Sequence, residues 1–224
     1  KKLDKNTKLL QEYDKFTLGI ISNSNIEFLI PSIVSYSLKY NLNLEIVNAP
    51  FGQTLNFLSN ENNFFYNKNL DAVLIAIDIN GLALKNNNTD ISYEYISDII
   101  NLVNSKLKVP CIIQNLVDSE EKIFGNLDFQ SNATPRHKIL SINDKIKNKL
   151  KNNNYNILYD VNRLAANVGL GIWYDPSLYY LTKTPISKHA FSAYAENLSK
   201  TIAALKGKSK RLLIFDLDNT IWGG

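Results

Sequence analysis

The stretch AVLIAI, at residues 72–77, is apolar at every position. A strand with one buried face alternates apolar and polar residues, whereas a strand covered on both faces is apolar throughout. These six residues therefore predict a central strand of a parallel sheet with helices on both sides. The polar residues that follow, Asp78 and Asn80, are expected at the carboxyl end of this strand, where open α/β sheets bind ligands. A plain loop role for both residues is the alternative.

Similar apolar stretches lie on both sides of this segment and alternate with segments of helical spacing. We predict the other strands at residues 16–22, 42–47, 109–114 and 157–161. We predict helices at residues 26–40, 52–58, 91–107, 135–151 and 187–206. Five strands that alternate with helices predict an α/β fold, a three-layer doubly wound parallel sheet.

Local signals refine the helix ends. Pro31 is expected either in the first turn of its helix or at a kink, since proline breaks a helix interior. Ser187 is expected to cap the last helix, and Gly207 is expected to end it. The polar residues 22–24 are most simply helix caps, although their backbone amides are also placed to hold an anion.

Composition excludes several classes of protein. The 224 residues are 45% hydrophobic and 21% charged, which is ordinary for a globular chain. The net charge of +4 is spread along the chain and does not indicate nucleic-acid binding. No apolar stretch is long enough to cross a bilayer, so no membrane is expected as a partner. A single cysteine, Cys111, excludes an internal disulfide, favours a reducing compartment and predicts a cytoplasmic protein.

The motif that carries chemistry is DLDNT, at residues 216–220, which fits D-x-D-x-T and follows an apolar run. Alternate side chains at a strand end share a face, so Asp216, Asp218 and Thr220 are expected to point together. Two close carboxylates suit nucleophilic attack on phosphorus and proton transfer to a leaving group. They also offer the hard oxygen ligands that Mg²⁺ prefers. A simple turn at a strand end is the alternative.

The sequence LLIFDLDNTIWGG, at residues 212–224, resembles the start of the haloacid-dehalogenase-type (HAD) domain in the FkbH-like family, a member of HAD subfamily IIIC. Looser similarity to the family's N-terminal domain lies at residues 16–29, 49–53, 72–78, 169–180 and 183–185. The resemblance implies that Asp216 is the nucleophile and Asp218 the acid/base, with Mg²⁺ held by both. It places Thr220 among the binding residues.

The resemblance also implies a function for a longer protein. FkbH-like proteins are similar to enzymes that transfer a phosphorylated three-carbon acyl group to an acyl carrier protein with release of phosphate. Some members are only predicted phosphatases. The expected partners are therefore an acyl carrier protein and a phosphorylated small-molecule substrate. We divide the chain into an N-terminal domain at residues 1–206, and a linker with the first strand and motif of a truncated HAD domain at residues 207–224. This chain alone is expected to lack HAD catalysis.

The N-terminal domain of the family resembles the SGNH-hydrolase fold, which is also flavodoxin-like in layout. By this resemblance Ser24 matches the nucleophile, Gly52 the glycine after strand two, and Asn80 the oxyanion-binding amide. The last block of that fold, Asp-x-x-His, is not matched, because Leu181 and Thr184 stand at its two positions. An ester hydrolase, a binding-only relative of one, and an accessory domain of a HAD enzyme thus remain open.

The carboxyl edge of the sheet gives the most specific expectation. Ser24, Gly52 and Asn80 follow strands one, two and three, so we predict that they converge on one shallow pocket. Lys183 is a possible counter-charge at its rim. Such a pocket would bind an acidic acyl group or the phosphopantetheine arm of a carrier without hydrolysis, since His137 and His189 are predicted to be surface residues.

Overall fold

The computed structural model describes residues 12–82, 84, 89–118, 122–151, 153 and 155–209. Within them, five parallel strands form one sheet in the order β2-β1-β3-β4-β5. The strands are β1 (Asp14–Ser22), β2 (Leu42–Asn48), β3 (Ala72–Ala76), β4 (Cys111–Gln114) and β5 (Ile157–Tyr159). This order confirms the predicted doubly wound α/β fold, whose direction reverses between β1 and β3. Asp216, Asp218 and Thr220 lie outside the described residues.

Helices cover both faces of the sheet. They are α1 (Ile30–Ser37), α2 (Thr54–Ser59), α3 (Asp90–Leu102), α4 (Pro135–Leu150), α5 (Val161–Val168), α6 (Leu170–Trp173), α7 (Pro176–Thr182) and α8 (Phe191–Leu205). Short 3₁₀ turns lie at Glu27–Leu29, Leu38–Tyr40, Ile79–Gly81, Gly125–Phe129 and Lys188–Ala190, and a π-helical turn at Val103–Leu107 extends α3. Among the described residues no helix is both long and apolar enough to cross a membrane.

Two apolar clusters sandwich the sheet, as expected for strands that are buried on both faces. Leu74 belongs to the cluster that includes Leu198 of α8, whereas its neighbour Val73 belongs to the cluster that includes Ile142 of α4. Successive side chains of a strand point to opposite faces, which explains the division. Cys111 is fully buried in the second cluster, as a small apolar residue would be.

Two expectations about single residues are confirmed, although the first helix begins later than predicted. Pro31 lies in the first turn of α1. Gly207 follows α8 with a φ of 74°, and the amides of Gly207 and Lys208 bind the carbonyls of Ala204 and Ala203. This pair of bonds is a Schellman motif, which needs the left-handed conformation that glycine adopts without strain.

Other local expectations were wrong. Ser187 does not cap the last helix: a 3₁₀ turn precedes α8, and the Ser187 hydroxyl donates to the carbonyl of Ile172 instead. The segment between β5 and the last helix contains α5, α6 and α7, for which we predicted no helices. Each of these helices is eight residues or shorter, so its apolar spacing is too brief to read from sequence.

Candidate functional site

The turn after β1 is held by local hydrogen bonds rather than by helix caps. The backbone amide of Ser24 donates to the Ser22 hydroxyl at 3.0 Å, and the amide of Glu27 donates to Asn25 Oδ1 at 3.0 Å. Helix α1 begins after Leu29, which makes no side-chain cap. The interpretation of residues 22–24 as helix caps is therefore wrong. Their hydrogen bonds shape a turn that leaves Ser24 nine-tenths buried at the carboxyl edge of the sheet.

Asn23 joins the ends of β1 and β3 across the point where strand order reverses. Its Oδ1 accepts from the Asp78 amide at 2.7 Å, and its Nδ2 donates to the Asp78 carbonyl at 2.8 Å. The side chain thus replaces one step of a sheet ladder. Gly81 packs on this amide so closely that a Cβ at Gly81 would overlap it. We call Asn23, Asp78 and Gly81 the strand-end latch.

One cavity of about 340 Å³ lies on the β1 and β2 side of the latch. Its described lining residues are Ser22, Ser24, Asn25, Glu27, Asn48, Ala49, Pro50, Phe51, Phe64, Thr182 and Lys183. We call it the Ser24 cavity. It brings the predicted residues Ser24 and Lys183 together, and its lining also includes hydroxyl and amide side chains and the half-exposed rings of Phe51 and Phe64.

Lys183 is fixed by its backbone. It ends α7 in the left-handed conformation, with φ 60° and ψ 23°, and its amide donates to the Tyr179 carbonyl at 2.7 Å. The Asn25 amide donates to the Lys183 carbonyl at 2.9 Å, which ties this segment to the turn that carries Ser24. The Lys183 ammonium lies 5.1 Å from the centre of the Tyr179 ring, so a cation–π contact holds it beside that ring.

The position where the SGNH resemblance calls for histidine is filled by Thr184. This threonine is buried, and its hydroxyl accepts from the Thr182 hydroxyl at 2.8 Å. Leu181, at the corresponding aspartate position, is exposed. His137 lies in the first turn of α4 and His189 is exposed in the turn before α8, and neither is among the described lining residues of the cavities.

A second cavity, of about 530 Å³, lies at the ends of β3 and β4. Its described lining residues are Asp78, Ile79, Asn80, Leu82, Leu84, Val117, Asp118, Pro135, Ile139, Leu170, Trp173, Tyr174, Pro176 and Pro185. We call it the Trp173 cavity. The predicted residue Asn80 lies here, but its Nδ2 donates to Asp78 Oδ1 at 2.7 Å, so the amide completes its own turn.

The expected single pocket is thus two cavities. Ser24 and Lys183 line the first and Asn80 lines the second. Gly52 is exposed with a φ of 74° and is not among the described lining residues of either, although its neighbours Pro50 and Phe51 line the Ser24 cavity. Ser22 and Ser24, on either side of Asn23, line the first cavity, and Asp78, which Asn23 binds, lines the second. The order of strands does not reveal this pairing.

The described residues gather no group of three or more histidine, cysteine, aspartate or glutamate side chains that could hold a metal ion. The titratable side chains at this edge of the sheet are instead individual residues such as Asp78 and Tyr179. Burial raises the pKa of the Asp78 carboxyl above its ordinary value, and hydrogen bonds from Asn80 oppose the rise. Burial, and then the charge of Asp78, raise the pKa of Tyr179, so these two side chains lie within electrostatic reach.

The raised pKa of Asp78 gives a pH-dependent prediction. The stability that this carboxyl contributes is fully present below its unfolded pKa, near 3.8, and is lost as pH rises through the higher folded pKa. Asp78→Asn keeps an oxygen for the Asn80 donors and removes the charge. We expect the melting temperature of the variant, relative to the wild type, to increase from pH 3 to pH 7. Asp98→Asn, at an exposed position, is the control. A difference in melting temperature between Asp78→Asn and the wild type that does not change with pH would contradict the prediction.

Comparison with known families identifies the chain. The family described as the N-terminal domain of FkbH matches residues 17–203. The chain belongs to this family. Among solved structures it is similar to the N-terminal part of the protein BF1531 from Bacteroides fragilis, described as containing a phosphatase domain complexed with Mg. The two have a TM-score of 0.81 and 21% identity over 97% of this chain, a likeness that shows the fold alone.

This FkbH N-terminal domain spans 61% of the solved chain from Bacteroides fragilis. No curated protein matches the sequence. The match to the family confirms the resemblance that we described from residues 16–29, 49–53 and 72–78.

Sequence reasoning missed the roles of two residues that shape this site. Asn23 was expected to cap a helix or to hold an anion with its backbone amide, yet its side chain joins β1 to β3. Asp118 follows β4 as Asp78 follows β3, so a search for carboxylates after every strand would have found it. Trp173 is 3% exposed and lines the second cavity, so it both packs in the core and shapes the site.

Proposed function

We propose that this chain is the N-terminal accessory domain of an FkbH-like protein and that its Ser24 cavity binds an anion without hydrolysing it. The observation that carries the proposal is the contrast within that cavity. A buried serine and a lysine line it, while buried Thr184 stands at the base position of the SGNH resemblance. A serine hydroxyl without a neighbouring base is a weak nucleophile but an effective hydrogen-bond donor.

In the longer protein, this accessory domain would precede the catalytic domain in the chain. In this proposal residues 1–206 form an SGNH-like domain, and residues 207–224 begin a HAD domain of subfamily IIIC. The end of α8 at Leu205 and the end of the family match at residue 203 support that boundary. The full protein would transfer a phosphorylated three-carbon acyl group to an acyl carrier protein with release of phosphate.

Asp216 and Asp218 would hold Mg²⁺ in that longer protein, since two carboxylates are the hard oxygen donors this ion prefers. The ion would supply positive charge to a phosphoryl group. Asp216 would be the nucleophile, Asp218 would hold or release a proton, and Thr220 would bind phosphate oxygens. The neighbour from Bacteroides fragilis, described with a phosphatase domain and Mg, supports this assignment by analogy.

The ligand of the Ser24 cavity follows from its groups. Lys183 provides a positive charge, the hydroxyls of Ser22 and Ser24 provide donors, and Phe51 and Phe64 provide an apolar wall. This combination suits an acidic acyl group or the phosphopantetheine arm of a carrier protein. In both ligands an anion is joined to a less polar chain.

A binding measurement tests the proposal. We expect 4′-phosphopantetheine or 3-phosphoglycerate to bind the chain in calorimetry. Lys183→Gln should weaken binding about fivefold to tenfold, because hydrogen bonds to charged groups are the stronger ones. Lys188→Gln is the matched control, since Lys188 is exposed and is not among the described lining residues. Equal weakening by both variants, or no binding of either ligand, would reject the proposal.

The second candidate is an ester hydrolase. One observation favours it: the Asn25 amide donates to the Lys183 carbonyl. This hydrogen bond brings residues 181–184, which correspond to the Asp-x-x-His segment of SGNH hydrolases, close to the turn that carries Ser24. We expect no hydrolysis of p-nitrophenyl acetate above the level of Ser24→Ala. Hydrolysis by the wild type that disappears in Ser24→Ala would establish the hydrolase and overturn the binding-only function.

A further inference from the structure

The Trp173 cavity differs from the Ser24 cavity in its charge. Lys183 and Glu27 line the Ser24 cavity, whereas the described residues that line the Trp173 cavity include two aspartates and no lysine, arginine or histidine. Most of the remaining wall is apolar, with Trp173, Leu170 and Ile139 among its residues. Pockets of a few hundred Å³ with apolar walls and a few polar groups are typical of small-molecule sites.

Asp78 is the less compensated of the two aspartates. Its Oδ1 accepts from the amide and the side chain of Asn80, at 2.9 and 2.7 Å, and among the described residues it forms no ion pair. Its negative charge reaches Tyr179, whose pKa is raised by burial and then by that charge. A half-buried carboxylate without a counter-ion favours a cationic partner, since its charge is less screened than in water.

Asp118 has a partner for one oxygen only. Arg136 Nε lies 3.3 Å from Asp118 Oδ2, while Oδ1 is buried without a hydrogen-bond partner among the described residues. Asp118 therefore adds negative potential to the cavity but is partly neutralised. Asp78 is therefore the main carboxylate available to contact a cation.

A metal ion fits this cavity poorly. A hard cation such as Mg²⁺ or Ca²⁺ needs about six oxygen ligands, whereas two carboxylates and an amide are set here among apolar side chains. An organic cation fits both the carboxylates and the apolar lining, because its charged end can pair with a carboxylate while its carbon body packs against the apolar wall.

We propose that the Trp173 cavity binds a small organic amine, with its ammonium group at Asp78 and its apolar body against Trp173. This site is independent of the anion site proposed for the Ser24 cavity. The two cavities meet at the strand-end latch and at the segment 182–185, since Lys183 lines one and Pro185 lines the other. The domain therefore offers two adjacent cavities, one lined by Lys183 together with Glu27 and the other by two aspartates.

Three probes of similar shape test the charge preference. Calorimetry at pH 7 would compare phenethylamine, phenethyl alcohol and 3-phenylpropionate, which differ in the polar end of the molecule. We expect the amine to bind about tenfold more tightly than the alcohol, and the carboxylate to bind most weakly. Equal affinity for the three probes, or no binding of the amine, would overturn the proposal.

Variants then locate the site. Asp78→Asn should remove the preference for the amine over the alcohol, Asp118→Asn should reduce it less, and exposed Asp98→Asn should leave it unchanged. In NMR spectra the indole N–H of Trp173, assigned with a Trp222→Phe variant, should shift when the amine is added. An amine preference that survives Asp78→Asn, or a Trp173 signal that does not move, would show that the amine binds elsewhere.

Discussion

Asn23→Ala should destabilise the domain by about 2–4 kcal/mol, because it removes two hydrogen bonds to the backbone of Asp78 and leaves a half-buried amide and carbonyl unpaired. The loss falls where β1 meets β3, and it should therefore also loosen both cavities. Chemical denaturation measures the change, and ligand binding by the Ser24 cavity should weaken in parallel.

Asn25→Ala is the matched control for this prediction. Asn25 accepts a single exposed hydrogen bond, from the Glu27 amide, so its loss should cost under about 1 kcal/mol. Gly81→Ala should act like Asn23→Ala, since its added methyl group would displace the Asn23 amide. If Asn23→Ala were as stable as Asn25→Ala, the latch would have no role in holding the strand ends together.

The second large effect is expected for Trp173→Ala, at about 3–5 kcal/mol, the range for deleting a buried aromatic side chain. Trp173 is 3% exposed, belongs to the first apolar cluster and lies 6.4 Å from Tyr194, ring centre to ring centre. For a chain of this size the melting temperature should fall by roughly 6–20 °C. Differential scanning calorimetry measures this change.

Tyr180→Ala provides the comparison on the adjacent helix α7. Tyr180 is 74% exposed, and surface substitutions of this kind usually change stability by less than about 0.5 kcal/mol. Trp173→Phe should fall between the two variants, because the smaller ring leaves part of the space empty. A Trp173→Ala variant as stable as Tyr180→Ala would mean that the indole lines the cavity without supporting the core.

Much of the fold could be predicted because it depends on local patterns. The all-apolar residues 72–77 predict a strand covered on both faces, and β3 is the middle strand of the sheet. The ring of Pro31 restricts its φ, and Gly207 can adopt a positive φ without strain. Their places in α1 and after α8 therefore follow from local preferences without tertiary information. The short helices α5, α6 and α7 carry too little periodic signal and were missed.

The candidate site was less predictable because its contacts join distant parts of the chain. Strand order brought Ser24 and Asn80 to one edge, as expected, but whether two side chains share a cavity depends on what stands between them. Here the Asn23 amide bonds to a backbone 55 residues away. In sequence, residues 22–24 are three similar polar residues. Only their hydrogen-bond partners show that Asn23 belongs to the strand-end latch while Ser22 and Ser24 form a local turn.

The sequence by itself determined the alternation of strands and helices, because this pattern follows from residue type and spacing along each segment. Only the tertiary structure decided that the carboxyl edge holds two cavities of different charge. That division depends on the pairing of Asn23 with Asp78 and on the position of Lys183 beside Asn25. Such pairings arise when packing brings separate segments together, and no period within a single segment encodes them.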